Sequence, residues 1–289
     1  MGRGIDHLVL AARDLESTRG FYARLGFTLT PRAQHPWGTA NHLVQLEGCF
    51  LELLGVAEPE KITPATPGTF GFGAFNRDFL VRREGMSMLV FESHDARADR
   101  DEFAAKQLSD FALFDFERQA KLPDGGTARV AFSLAFVADA TMPEAAFFVC
   151  QQHAPQYFWK PEYQRHANGA RAIAEVSMVA ADPPVLADFF ARMQGERAVR
   201  RSGEGLRVTT ARGTIAVLSP REFAKRFPGA RIANAPPTPH FAAYRIVVAD
   251  LDAAHAHLRA NGIAHRRDAG VAQIMPEHAF GVAIEFVQA

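Results

Sequence analysis

Four times along the chain an apolar run closes on an Asp and gives way to a helical period. The four Asp residues are Asp14, Asp95, Asp182 and Asp250. An Asp at this point is suited to cap a helix, because its carboxylate accepts hydrogen bonds from first-turn N–H groups that have no partner in the helix. The first predicted helix spans 15–25, carries Phe21, Tyr22 and Leu25, and stops at Gly26. The second follows Asp95 with Phe103 and Leu108. The third opens on Pro183 and Pro184 and runs through Leu186, Phe189, Phe190 and Met193 to Gly195. The fourth carries Ala253, Ala254 and Leu258 and ends at Asn261-Gly262. Behind each helix the period falls to two, which predicts strands. These are 28–32, 41–46 and 50–54; then 112–117, 128–137 and 146–151, with a turn at Pro123-Asp124-Gly125-Gly126; then 197–201, 206–210 and 214–218; and last 265–268, 273–275 and 282–287.

The chain therefore reads as an α+β protein of four β-α-β-β-β modules, at 1–58, 80–155, 171–220 and 239–289. Connectors richer in Pro, Gly and polar residues join them at about 57–79, 154–171 and 219–239. One such module has an apolar sheet face it cannot bury alone, so modules must associate. Two curled sheets meeting edge to edge leave a half-open cavity, a natural ligand site.

Composition narrows the function. Lys plus Arg and Asp plus Glu both number 32, so no basic footprint for nucleic acid or for an acidic membrane is expected. No apolar run is long enough to span a bilayer, and the N-terminus enters a strand without a signal-peptide pattern, so a cytoplasmic protein is expected. Two cysteines, Cys49 and Cys150, make no disulfide framework. Nucleophile elbows, phosphate-binding glycine loops and paired Cys-x-x-Cys motifs are absent from the sequence. The expected partner is a small molecule, and the chain is expected to act as a monomer or homodimer.

The first module carries the most specific pattern: Ile5-Asp6-His7-Leu8-Val9-Leu10, Asp14-Leu15, Phe21-Tyr22, Leu25-Gly26-Phe27 and Phe50-Leu51-Glu52-Leu53. With these residues the chain resembles the vicinal oxygen chelate superfamily, in particular its glyoxalase-like branch. The stretches His35-Pro36-Trp37-Gly38-Thr39-Ala40-Asn41 and Cys150-Gln151-Gln152-His153 fit the same resemblance. It implies four modules paired into two half-barrels of the glyoxalase, bleomycin-resistance and dioxygenase type. It also implies a divalent metal held by a His on the first strand and a Glu on the last strand of a module, which match His7 and Glu52.

Seven residues before each capping Asp, the first-strand position holds His7, Met88, Glu175 and Ala243. The last-strand position holds Glu52, then Val149 or Cys150, then Val217, then Glu285. If modules one and four share a cavity, His7, Glu52 and Glu285 converge on one ion, as a three-ligand catalytic site requires. If modules one and two pair, His153 or Gln151 has to complete the set. Imidazole and carboxylate donors suit Mn, Fe, Ni or Zn and do not choose among them. A His in an apolar strand is commonly a satisfied core residue, but an unpaired buried carboxylate beside it is costly, which favours a site at His7 and Glu52. His35, Trp37 and Asn41 are expected at the cavity mouth, either contacting substrate or anchoring a turn. The resemblance then implies isomerase or lyase chemistry on a small oxygenated substrate, with Glu52 or Glu285 as the base. Ring-cleaving oxygen chemistry, or binding and sequestration without turnover, are the alternatives.

Overall fold

The computed structural model describes residues 2–121, 126–268 and 270–289; the turn expected at Pro123-Asp124-Gly125 lies outside them. The first module is β1 (Ile5–Ala11), α1 (Leu15–Arg24), β2 (Ala33–Gln34), β3 (Thr39–Gln45) and β4 (Phe50–Val56). A helix not anticipated from sequence, α2 (Phe72–Arg82), precedes the second: β5 (Gly85–Glu92), α3 (Ala96–Ala105), β6 (Phe114–Lys121), β7 (Thr127–Ala138) and β8 (Ala146–Gln152). After a short α4 (Pro155–Phe158) comes the third: β9 (Ala170–Val179), α5 (Ala187–Gln194), β10 (Val199–Ser202), β11 (Gly205–Thr209) and β12 (Thr214–Leu218). Then follow α6 (Pro220–Arg226) and the fourth: β13 (His240–Val248), α7 (Leu251–Ala260), β14 (Arg266–Asp268), β15 (Val271–Ile274) and β16 (Ala283–Gln288).

Asp14, Asp95 and Asp250 cap their helices through side-chain oxygens, onto Ser17 N, onto Arg97 and Ala98 N, and onto Asp252 and Ala253 N. Asp182 does not. Pro184 stands at one of the two positions whose N–H it would have accepted, the Val185 N–H bonds the Asp182 carbonyl at 3.2 Å, and a short 3-10 turn precedes α5. Helix α1 stops at Gly26, whose φ of 96° belongs to the left-handed side; a Cβ there would also press on Asn168.

The strands form two eight-stranded sheets, ordered β2-β3-β4-β1-β5-β8-β7-β6 and β10-β11-β12-β9-β13-β16-β15-β14. Modules one and two therefore make one half-barrel, joined by antiparallel β1 and β5, and modules three and four make the other, joined by β9 and β13. Alternation then sorts the side chains. Leu8, Leu10, Leu51, Leu53, Phe147 and Val149 face a core shared with the other half-barrel and with Phe21, Phe103, Phe190 and Leu258 of the helices. Val9, Phe50, Leu54, Met88, Val90, Phe132, Phe148 and Cys150 face the other side. Tyr22 of α1 and Tyr244 of β13 bridge the halves by a buried hydroxyl–hydroxyl hydrogen bond of 2.7 Å.

Candidate functional site

The concave face of the first half-barrel holds a pocket. His7, Phe50 and Glu52 come from β1 and β4; Asn41 and Leu43 from β3; Phe116 and Arg118 from β6. Phe132, Phe148 and Cys150 close it from β7 and β8, Phe72 from α2 and Phe158 from α4. About 60 Å³ is left for water-sized molecules, a narrow space between aromatic walls.

His7 is buried, stacked on Phe50 with ring centres 4.1 Å apart, and set edge-on to Phe148. Its Nδ1 donates to Asp6 Oδ2 at 2.6 Å, which leaves Nε2 turned toward Glu52 Oε2 at 3.8 Å. Glu52 Oε1 accepts from Asn41 Nδ2 at 2.6 Å. The same amide lies 3.3 Å from His35 Nε2, and His35 Nδ1 lies 2.8 Å from Thr39 Oγ1. His35 stacks on Trp37 at 4.8 Å. Burial holds the His35 imidazole below its ordinary pKa, and the Arg118 charge adds to this while Glu52 partly opposes it. Two polar atoms of this cluster are buried with no partner, Trp37 Nε1 and Asn41 Oδ1. Such orphans call for an explanation, and a bound molecule supplies one.

Of the residues singled out from sequence, His7, Glu52, His35, Trp37 and Asn41 come together. Glu285 does not join them. The modules pair one with two and three with four, so Glu285 meets Glu175 in the second half-barrel. There the Arg226 guanidinium lies between the two carboxylates, bonding Glu175 Oε1 at 2.6 Å and Glu285 through Nε and Nη2; Arg245 adds a further bond at 2.9 Å. Burial pushes the Glu285 carboxyl up, but Arg226 and Arg245 outweigh it and hold it below the usual range. A carboxylate tied by two arginines is neither a free base nor an open ligand. His153 does not complete the first site either: it lies past the end of β8, exposed, with Nε2 on Ser133 Oγ at 2.8 Å.

The register also corrects two last-strand positions. Glu52 stands opposite Val9 as Phe148 stands opposite Val90, so the second module's position is Phe148 rather than Val149 or Cys150. Ala216, opposite Ser177, takes the place given to Val217. Cys150 does line the pocket, but burial pushes its thiol well above the ordinary range.

Arg118 was not anticipated. The alternation Phe114, Phe116, Arg118 on β6 places it on the apolar face, a signal hidden by its charged neighbour Glu117. Burial lowers the pKa of its guanidinium and the Glu52 charge restores part of that. A divalent ion would find His7 Nε2 and Glu52 here; His35 Nε2 also lies 3.9 Å from Glu52 Oε1, but the Asn41 amide lies against it. The facing positions hold Met88 and Phe148, His35 Nε2 is engaged by Asn41, and the Arg118 charge already acts on the carboxylate. This falls short of the three protein ligands usual in catalytic sites, and among the described residues no three His, Cys, Asp or Glu side chains gather to hold a metal.

A family model described as a glyoxalase-like domain matches residues 5–193. Among solved structures, a hypothetical protein from Staphylococcus aureus is similar, with 12% identity, a TM-score of 0.69 and 99% of each chain covered. A mutant of 4-hydroxymandelate synthase from Streptomyces coelicolor aligns with 12% identity and a TM-score of 0.58, covering 99% of this chain and 92% of that one. A 2,2',3-trihydroxybiphenyl 1,2-dioxygenase from Sphingomonas wittichii strain RW1 aligns with 13% identity and a TM-score of 0.56, covering 100% and 91%. At these identities the likeness is one of fold. Comparison with curated proteins returns no match. Among the described residues, no helix is long and apolar enough to cross a membrane.

Proposed function

Since the chain belongs to the glyoxalase-like domain family, we propose that its first half-barrel takes a small, flat, oxygen-bearing substrate and moves a proton on it, in an isomerase or lyase type of reaction. One observation carries this reading. His7 Nε2 and the Glu52 carboxylate face each other at 3.8 Å in an aromatic pocket, each oriented by a partner of its own, Asp6 and Asn41. A carbon acid placed beside this pair loses its C–H proton to one of the two groups, and the electron pair moves onto the adjacent carbonyl oxygen. The unpaired Trp37 N–H is suited to stabilise that oxygen. Return of the proton to the neighbouring carbon completes an isomerisation; departure of a leaving group completes a lyase reaction. The residues do not fit a divalent ion, and no step is routed through one.

Binding without turnover is the second reading, favoured by the loss of both ligand positions from the second module. Exchange of the benzylic protons of phenylpyruvate for deuterium, followed by proton NMR, separates the two. Wild-type protein is expected to accelerate exchange and His7→Gln to lose the acceleration. Binding of phenylpyruvate without acceleration would favour sequestration.

A further inference from the structure

Resting on the reading of this pocket as a small-molecule site, we propose that the ligand bears an anionic group of carboxylate or phosphate type. This group would be held outside the aromatic box by Arg118, Arg32 and Lys160. The inner pocket adjoins a second cavity that shares Asn41, Leu43, Arg118 and Phe158 with it. On the same measure the outer cavity is about 410 Å³, against about 60 Å³ inside. Its lining includes three cations, Arg32, Arg118 and Lys160, and no Asp or Glu.

Among the described residues none of these three side chains has an ion pair or hydrogen bond. Elsewhere in this neutral chain, Arg3, Arg83, Arg212, Arg226 and Arg245 each find a carboxylate. An exposed cation such as Arg32 is ordinary by itself. Arg118 is not, since its side chain is half-buried at the junction of the two cavities, with Glu52 acting on it through space and no carboxylate within ion-pair distance. Desolvating a guanidinium without a partner is costly, and a ligand anion is the group that would offset it through charge-assisted bonds.

The outer wall is also fixed in place. Gln45 Nε2 donates to the Phe158 carbonyl at 2.8 Å, and Gln45 Oε1 accepts from Lys160 N at 3.0 Å. The backbone that carries Lys160 is thereby tied to β3, so the cation stands at the cavity before any ligand arrives. The ligand is accordingly bipartite, with a flat head reaching His7 and Glu52 and an anionic tail at the junction.

The test uses the full chain and three probes: benzyl alcohol, phenylacetate and phenyl phosphate, followed by calorimetry and by fluorescence of Trp37 and Trp159, the two tryptophans of the chain. At low ionic strength at least one anion is expected to bind about tenfold more tightly than the alcohol, an advantage that shrinks in salt. Which anion gains more assigns carboxylate or phosphate. The double variant Arg32→Ser, Lys160→Ser changes one exposed and one half-buried side chain. It is expected to remove about threefold or more of the anion advantage and leave benzyl alcohol binding unchanged; Arg118→Met is expected to remove most of it. Equal affinity for anions and alcohol, or an anion advantage that survives all three substitutions, would overturn the proposal while leaving the pocket's role intact. Failure of all three probes to bind would overturn both.

Discussion

His7 and Glu52 illustrate how a buried ionisable pair is kept usable: neither satisfies the other, and each is anchored from behind. Asp6 fixes the His7 ring and Asn41 fixes the Glu52 carboxylate. Glu52→Gln keeps the size and removes the proton-accepting oxygen, so the enzymatic exchange rate is expected to fall about 10²-fold or more, with little change in melting temperature. The cysteines behave oppositely. Cys49 is buried, its thiol pushed up to about 12, so iodoacetamide is expected to label it only after unfolding; mass spectrometry of native and denatured protein checks this. Five residues of the candidate site were legible in sequence: His7 and Glu52 because a His and a Glu on the first and last strands of one module stand out against apolar neighbours, and His35, Trp37 and Asn41 through the resemblance of their stretch. Arg118 was not, since charged residues on an edge strand ordinarily mark a solvated face. Glu285 misled for a related reason: local sequence around it parallels that around Glu52, and only strand pairing reveals that it meets Glu175 across the Arg226 guanidinium.

At the scale of elements, the four modules were legible because strand-to-helix transitions repeat with capping Asp residues. Their pairing was not, since it depends on which first strands meet at an edge. Helix α2 escaped because Gly71 and Gly73 flank its start and the stretch reads as a connector, yet it brings Phe72 to the pocket. Helix α6 is short but well started, by a capping box between Ser219 and Glu222, and it delivers Arg226 to the second half-barrel. Arg226→Met is expected to cost about 3–5 kcal/mol in chemical denaturation, because it leaves Glu175 and Glu285 buried beside one another. Pocket binding in the first half-barrel is expected to remain. The pH dependence follows from the depressed Glu285 pKa. An unfolded carboxyl binds its proton near pH 4.5 and the folded one only at lower pH, so the stabilisation is complete above that value and is lost as pH falls through the folded pKa. Wild-type stability is therefore expected to decline more steeply on acidification than that of the Glu285→Gln, Arg226→Met double variant.

Across the whole molecule the two half-barrels share a core but differ in their concave faces. The first keeps an open pocket, while the second has closed its corresponding position with a salt bridge. Tyr22 and Tyr244 tie them together, and burial pushes the Tyr22 hydroxyl well above its ordinary pKa. Tyr22→Phe leaves the Tyr244 hydroxyl without its partner and is expected to cost about 1–3 kcal/mol without altering ligand affinity, as urea denaturation and probe titration would show. As proposed, proton transfer belongs to the His7–Glu52 pair of the first half-barrel. The most direct test is the rate of deuterium exchange into phenylpyruvate, measured on protein stripped with a chelator, for wild type beside Glu52→Gln. The expected result is an exchange rate that survives stripping in the wild type and collapses in the variant. Exchange abolished by stripping and restored by a divalent ion, or equal in the two proteins, would contradict it.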